Sequence, residues 1–398
     1  MLEPTNTLPS LSMNEQLNVR QRLSQLAQWQ TRYQEEDRRL QARVEQLNPK
    51  LRGDVQKGAQ IAAWRRRLRL QLVAEPIEIS SHQIQQGGYG TLRDSLQRQF
   101  AELSRAERRL WLYNFLFIMT PALRQLDDKI ARVRTHLQFG QQRNFLLGGA
   151  SGSGKTTYLD FLAFTQCPTV EAERNHVPVI KIDAPVSNHT PKPLLQRIVL
   201  ACGHTYLTQD NEEELLMKLA LYFQQCGVEL LIVDEVEHLQ RPEIRRRLLE
   251  VSNLTRGVPI VCASCYPQRF ADDDPEIAGR WNDYFELPQY TGERLRQLLA
   301  FLDLLLPFPS SSNLDLYMIP ADKPGMPKSD GPARLIEQYT GGILRDIMIL
   351  IADASLRAIE RGEASLSPVT LEASWRDLQA RQVTDFLQVF REQRDGLF

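Results

Sequence analysis

Residues Gly149-Ala150-Ser151-Gly152-Ser153-Gly154-Lys155-Thr156 match the pattern G-x-x-x-x-G-K-[ST] at every fixed position. Glycines at these places let the backbone wrap a triphosphate closely, turning successive N–H groups onto its oxygens. A helix beginning near Lys155 adds its positive dipole end. Lys155 brings a point charge to the β- and γ-phosphates, and the Thr156 hydroxyl ligates Mg²⁺. The nucleotide-binding set is the loop from Gly149 to Thr156, with Thr157 beside it in the first helical turn. Its cofactors are ATP and Mg²⁺.

The second half of such a site is Leu230-Leu231-Ile232-Val233-Asp234-Glu235. Four apolar residues in a row form a central strand buried on both faces, which delivers Asp234 to its carboxyl end. Ligands of parallel sheets bind at that end. Asp234 then helps to hold the magnesium through a water, and Glu235 polarises a water for in-line attack as general base.

The elements that position these residues are readable from Arg143 onward. Short apolar runs bounded by turn residues lie at Asn144–Leu147, Pro178–Ile182, Glu229–Val233, Pro259–Cys262 and Tyr284–Leu287. Helical patterns separate them, at Thr156–Phe164, Lys192–Cys202, Glu213–Cys226 and Glu243–Ser252. The alternation predicts an α/β fold with a parallel sheet covered by helices on both faces. After Pro288 the chain is helical again. One interruption, Pro307–Pro332, holds six prolines and reads as a mobile loop.

Before the sheet, residues 1–12 are polar and read as disordered. Met13–Leu47 has no glycine or proline, and Leu26, Tyr33, Leu40 and Leu47 recur every seven residues. That spacing predicts a long amphipathic helix that packs as an intramolecular arm. Trp64–Leu70 is a dense arginine cluster beside an aromatic, equally suited to neutralising phosphates and to a solvated helix face. Gly87–Gly90 marks a loop, Thr91–Met119 resumes a helical pattern, and Thr120-Pro121 starts another helix, Ala122–Leu137. The expected division is an N-terminal helical extension (1–119), an ATPase core (120–288) and a helical lid with the C-terminal segment (289–398).

Composition sets the outer bounds. At 398 residues, 42% hydrophobic and 24% charged, the chain is neither one small domain nor disordered throughout. Residues 1–143 carry 23 Lys/Arg against 14 Asp/Glu, and the remainder carries 25 against 35. A basic front on an acidic back fits a polyanionic partner, contact between the halves, or a scattered solvated surface. No apolar run approaches the roughly 18–20 residues that span a membrane, so the expected setting is the cytoplasm, with no membrane partner. Five cysteines in so long a chain are not a disulfide framework. Cys262 and Cys265 have C-x-x-C spacing, but they close an apolar run and no second Cys/His pair accompanies them. They read as a strand end.

One further strand separates the loop helix from the Asp-Glu strand, and this order resembles the additional-strand ATPases. Three later features are similar to those of AAA+ proteins. The strand Pro259–Cys262 runs on to Ser264, where AAA+ proteins place a polar sensor 1. Thr340-Gly341-Gly342-Ile343-Leu344-Arg345 looks like the sensor 2 G-x-x-R of an AAA+ lid. Arg280 precedes the last core strand, where ring-forming AAA+ ATPases carry an arginine that reaches the neighbour's nucleotide. Such an in-trans cation is worth roughly 10³–10⁵ in rate.

The string from Val233 to Leu239, then Arg241–Leu249, Gly257–Ser264 and Ile277–Trp281, resembles the TnsC/TniB family of AAA+ regulators of DNA transposition. Ile182–Pro185 and Thr190–Leu195 resemble that family's stretch after its second strand. The resemblance spans roughly residues 120–350, with Ala263-Ser264 standing where the family usually has Gly-Thr. It implies an ATP-dependent homo-oligomer, a ring or helical filament on duplex DNA. It further implies a transposase and a target selector of the TnsD/TniQ type as partners, with hydrolysis resetting the assembly. By position, Thr190 and Lys192 are the candidate DNA contacts, gripping phosphates without reading bases. The alternative is a signalling or defence NTPase of the AAA+/STAND type, a nucleotide-controlled switch that does not act on DNA. An origin-recognition-like loader would carry a C-terminal winged helix, for which Ala364–Phe398 is short.

Overall fold

The computed structural model describes residues 18–26, 34–35, 38, 88–114, 119–137, 144–166, 169–170, 175–186, 190–271, 274–281, 283–319 and 329–380. Residues 1–12, most of the arm expected over Met13–Leu47, the arginine cluster Trp64–Leu70 and Cys167 lie outside the described residues. The described residues fall into two compact units. One is built on Pro121–Gln289, with the described residues of Arg32–Leu72, and the other joins the described residues of Met1–Thr31 and Val73–Thr120 to those from Tyr290 onward.

The first unit is organised by five strands: β1 (Phe145–Gly148), β2 (Val179–Asp183), β3 (Leu230–Asp234), β4 (Ile260–Ala263) and β5 (Asp283–Glu286). They form one sheet in the order β2-β3-β4-β1-β5, and every neighbouring pair is parallel. Each strand lies within one residue of the predicted run. The first four extend one residue further toward the carboxyl end than their apolar runs do. There the ladder pairs Asp183 with Asp234.

β1, β3 and β4 are buried along their whole length, as unbroken apolar runs require. Leu230, Leu231, Ile232 and Val233 are fully buried, each worth about 1.5–3 kcal/mol relative to exposure. That fixes β3 in the centre of the sheet, and Asp234 follows from it. β5 is an edge strand that alternates half-buried and exposed residues. The helices Lys155–Thr165, Lys192–Ala201, Glu212–Cys226 and Pro242–Leu254 fall where the 3.6-residue periodicity predicts them.

The second unit is helical. Gly88–Ala101 and Arg105–Asn114 share it with Gly292–Leu305, Pro332–Thr340, Leu344–Arg361 and Pro368–Ala380. Phe100 and Trp111 meet edge to face at 5.4 Å, and the Trp111 indole N–H donates to the Leu305 carbonyl at 2.9 Å. Val19, in the helical stretch 19–26, packs into the same cluster with Leu96 and Phe301. The N-terminal helices and the helices after Tyr290 therefore share one unit.

Three expectations are corrected here. Gly88-Tyr89-Gly90 form the first turn of a helix and not a loop. The helical pattern of Thr91–Met119 breaks at residues 102–104, because Ser104 and Glu107 cap a new helix. Glu107 accepts the Ser104 N–H at 2.8 Å and the Ser104 hydroxyl accepts the Glu107 N–H at 3.3 Å, a capping box. The described part of Pro307–Pro332 is packed and not mobile. Phe308 and Leu314 are buried, the Ser312 N–H donates to Asp303 at 2.8 Å, and Met318–Ile319 pairs with Ser329–Asp330.

Candidate nucleotide site

The phosphate-binding loop leaves β1 at Gly148 and enters the helix Lys155–Thr165. Gly149 has φ +147°, and a Cβ there would lie 2.8 Å from Ser153 Oγ and 3.2 Å from the Leu287 carbonyl. A side chain does not fit. Gly154 caps the helix in the left-handed region, φ +97°, where glycine carries no steric penalty. Between them Ala150 and Ser151 turn tightly, and the Ser153 N–H returns to the Ala150 carbonyl at 3.0 Å. Beyond Gly152, the Ser153 hydroxyl is buried without a hydrogen-bond partner. Thr156 and Thr157 are exposed in the first helical turn.

Lys155 is buried beside the loop it serves. Its ammonium donates to the Gly149 carbonyl at 2.6 Å and to the Ala150 carbonyl at 3.1 Å, with Cys265 Sγ at 3.5 Å. The helix behind it is pinned by the Tyr158 hydroxyl, which donates to Asp127 at 2.8 Å. Burial pushes the Tyr158 phenol well up, with the Asp127 charge adding to it, so Tyr158 stays a neutral donor.

Asp234 ends β3 and is 2% exposed. Its Oδ1 accepts the Glu235 N–H at 3.0 Å, while Oδ2 has no hydrogen-bond partner. Glu235 adopts φ +58°, a left-handed backbone that costs a non-glycine residue about 1–3 kcal/mol and that clusters at functional sites. Its carboxylate is half exposed and lies 3.9 Å from His238 Nε2. A buried carboxylate oxygen with no hydrogen bond, an exposed threonine at the helix start and a glycine cradle fit a magnesium–triphosphate. Among the described residues no group of three His, Cys, Asp or Glu could hold a metal by itself.

Ser264 is buried just past β4, next to β1, and its N–H donates to the Leu147 carbonyl at 3.0 Å. Its hydroxyl accepts the Tyr266 N–H at 2.9 Å. Arg280 ends the short helix Pro275–Arg280 and is exposed. The base under it is rigid: Trp281 meets Phe270 edge to face at 5.3 Å, and Asp274 caps the helix and pairs with Arg246 at 2.7 Å. That pairing holds the Asp274 carboxyl below the usual carboxylate range.

Arg345 belongs to the helical unit, in the first turn of Leu344–Arg361, where it pairs with Asp346 at 3.0 Å. Thr190 is exposed. Lys192 opens the helix Lys192–Ala201 and donates to the Thr208 carbonyl at 3.0 Å.

Two residues, Lys181 and Arg245, escaped sequence reasoning, and Cys265 entered it only as part of a strand end. Lys181 on β2 lies 2.8 Å from Asp160, 3.3 Å from Asp183 and 3.5 Å from Asp234. Cys265 stands at the P-loop lysine, while Cys262 is fully buried and burial pushes its thiol up. Among the described residues no two cysteines form a disulfide. Buried Arg245 donates to the Arg269 and Phe270 carbonyls at 3.2 and 2.6 Å, holding the end of Pro267–Ala271. Only Lys181 carried a signal, a lysine inside an apolar strand run.

Residues 137–268 match a family model described as an AAA domain. The matched stretch contains Lys155, Thr156, Asp234, Glu235 and Ser264 and ends before Arg280 and Arg345. Among curated proteins no match to the chain was found. Three solved structures are similar in outline. The ORC2 protein of Aeropyrum pernix, in ADPNP–ADP complexes, is 18% identical, with 69% of this chain and 73% of that chain covered and a TM-score of 0.49. The ORC1 protein of Aeropyrum pernix in complex with DNA is 18% identical, with 63% and 64% covered and a TM-score of 0.43. Drosophila ORC bound to DNA is 13% identical, with 71% and 67% covered and a TM-score of 0.44. The chain has the AAA+ P-loop fold, a five-stranded parallel sheet between helices with helical N- and C-terminal parts.

Proposed function

We propose that this protein is a Mg²⁺-dependent ATPase that works as a homo-oligomer on duplex DNA and regulates transposition, linking a target selector of the TnsD/TniQ type to a transposase. One observation carries the ATPase reading: Lys155, Thr156, Asp234 and Glu235 all stand at the carboxyl end of one parallel sheet, where its ligands bind. In this reading Lys155 leaves the loop carbonyls for the β- and γ-phosphates. Thr156 and Asp234 hold Mg²⁺, which supplies charge neutralisation on the phosphates. Glu235 takes a proton from the attacking water, Ser264 meets the γ-phosphate as sensor 1, and Arg345 senses the nucleotide from the lid. Arg280 serves the neighbouring protomer. Residues 120–288 are the hydrolytic core, flanked by the extension 1–119 and the lid 289–398.

The DNA half of the proposal rests on the resemblance of Val233–Leu239 and Ile277–Trp281 to the TnsC/TniB family, and the setting it implies is the bacterial cytoplasm. Thr190 and Lys192 contact backbone phosphates. Each protomer makes few such contacts, so binding requires the assembled oligomer and hence ATP. Titrating labelled random-sequence duplexes at several salt concentrations, with and without a non-hydrolysable ATP analogue, tests this. The expected result is nucleotide-dependent binding, a log–log salt slope of about −0.9 per phosphate contacted and little sequence preference. Nucleotide-independent or strongly sequence-specific binding would overturn it. ATP hydrolysis with no DNA binding would assign the protein to the signalling or defence switches.

A further inference from the structure

Lys181 is a lysine set in the strand next to the one that carries Asp234, and its side chain is 7% exposed. Its ammonium is shared among three carboxylates. Asp160 lies at 2.8 Å, Asp183 at 3.3 Å and Asp234 Oδ2 at 3.5 Å. Asp160 sits on the P-loop helix four residues beyond Thr156, on the same helix face. Asp183 is the ladder partner of Asp234. One ammonium therefore ties the helix that follows the phosphate loop to the two strand ends beside it.

We propose that Lys181 is a positioning residue for Asp234 and the resident counter-ion that sets how tightly this site holds its divalent metal. The inference rests on the reading above, in which Asp234 helps to hold Mg²⁺. Oδ1 of Asp234 is fixed by the Glu235 N–H, and Oδ2, which has no hydrogen-bond partner, faces Lys181. Both oxygens are thus set before a metal arrives. Three carboxylates around one ammonium leave two negative charges, which a divalent cation balances. Charges in a partly buried site interact at an effective dielectric of about 20. Removing a positive charge 3.5 Å from the proposed ligand Asp234 therefore tightens metal binding by about tenfold or more.

The consequences have opposite signs. Lys181→Met raises the local negative charge, so metal affinity rises. It also frees Asp234 from the P-loop helix, so turnover falls. Asp160→Asn removes a negative charge and leaves the ammonium to Asp183 and Asp234, so metal binds about tenfold more weakly. A purely structural ion pair would weaken metal binding in both variants or in neither.

The test uses the full chain with saturating ADP and Mn²⁺ as the probe, reading free Mn²⁺ by electron paramagnetic resonance. Thermal unfolding monitors the fold. The expected result is tighter Mn²⁺ in Lys181→Met and weaker Mn²⁺ in Asp160→Asn. Equal affinities, or a loss in both, overturn the role of Lys181. If Lys181→Met does not fold, Asp160→Asn decides alone, and unchanged Mn²⁺ affinity there overturns the inference. A wild type that binds no ADP overturns the nucleotide reading and this inference with it. A wild type that binds Mn²⁺–ADP, with variants that do not differ, overturns this inference only.

Discussion

Within the sheet unit, two sets of polar residues are held in opposite ways. Lys155, Asp234 and Ser264 are all less than a tenth exposed, and each is fixed by the backbone of a loop or strand that the core places. Arg280 is exposed at the end of a six-residue helix, and Lys192 spends its ammonium on a loop carbonyl. Buried polar groups are costly to leave unmatched. The first set is thus organised for one ligand within one chain, whereas the second lies where a neighbour or a polyanion can reach it. In the oligomer proposed above, cooperativity between protomers is to be sought at these exposed cations.

Arg280 gives the largest effect if the comparison holds. Arg280→Ala leaves ATP affinity of the protomer unchanged and lowers turnover by roughly 10³–10⁵. Mixing it with Lys155→Ala restores part of the activity, because one subunit supplies the arginine and the other the nucleotide. Steady-state rates across mixing ratios check this. Rates that stay at the floor at every ratio place Arg280 among residues acting within one chain and break the comparison.

Glu235→Gln keeps the shape of the side chain and removes the base. Turnover falls by about 10²–10⁴ while ATP binding persists, so oligomers live longer. Single-turnover hydrolysis and light scattering measure the two halves separately. Unchanged turnover would move the base to another residue.

Lys155→Ala removes charge-assisted contacts worth about 2–3 kcal/mol, so nucleotide affinity drops by roughly 30- to 150-fold. Its ammonium meets loop carbonyls and no core side chain, so the melting temperature barely moves. A fluorescent ATP analogue and a thermal melt decide. Wild-type affinity in this variant would remove Lys155 from the site.

The smallest expected effect is at Lys192. Lys192→Ala weakens binding to all duplexes alike and flattens the log–log salt slope by about 0.9 for each phosphate that the oligomer no longer neutralises. An unchanged slope would mean that the Thr208 carbonyl keeps Lys192 from DNA, sharpening the boundary between the two groups.

The sheet was legible because its strands are buried on both faces, and an unbroken apolar run of that length between turn residues suits a buried strand best. The one-residue errors at the carboxyl ends of β1 to β4 have a common cause. Apolar side chains mark where a strand is buried, but the ladder is made by backbone groups, so it runs on to Asp183 and Asp234. The helix break at residues 102–104 had a written signal, Ser104 followed three residues later by Glu107, which the continuous periodicity of Thr91–Met119 obscured. The packed segment after Pro307 was misread for a different reason. Proline content reports how a backbone can bend, whereas Phe308, Leu314 and the Asp303–Ser312 hydrogen bond report what it bends against.

The order of strands and helices, the glycine loop and the placing of Asp234 at a strand end were all written in the sequence, since each depends on local spacing within one element. Tertiary packing was needed to give Glu235 its left-handed backbone, to stand Cys265 against Lys155, and to gather Asp160, Asp183 and Asp234 around Lys181. The same holds for the joining of the N-terminal helices to those after Tyr290. Most of these are meetings of residues far apart along the chain, and no local periodicity encodes which distant side chain will be the neighbour. Packing at close-packed density selects it.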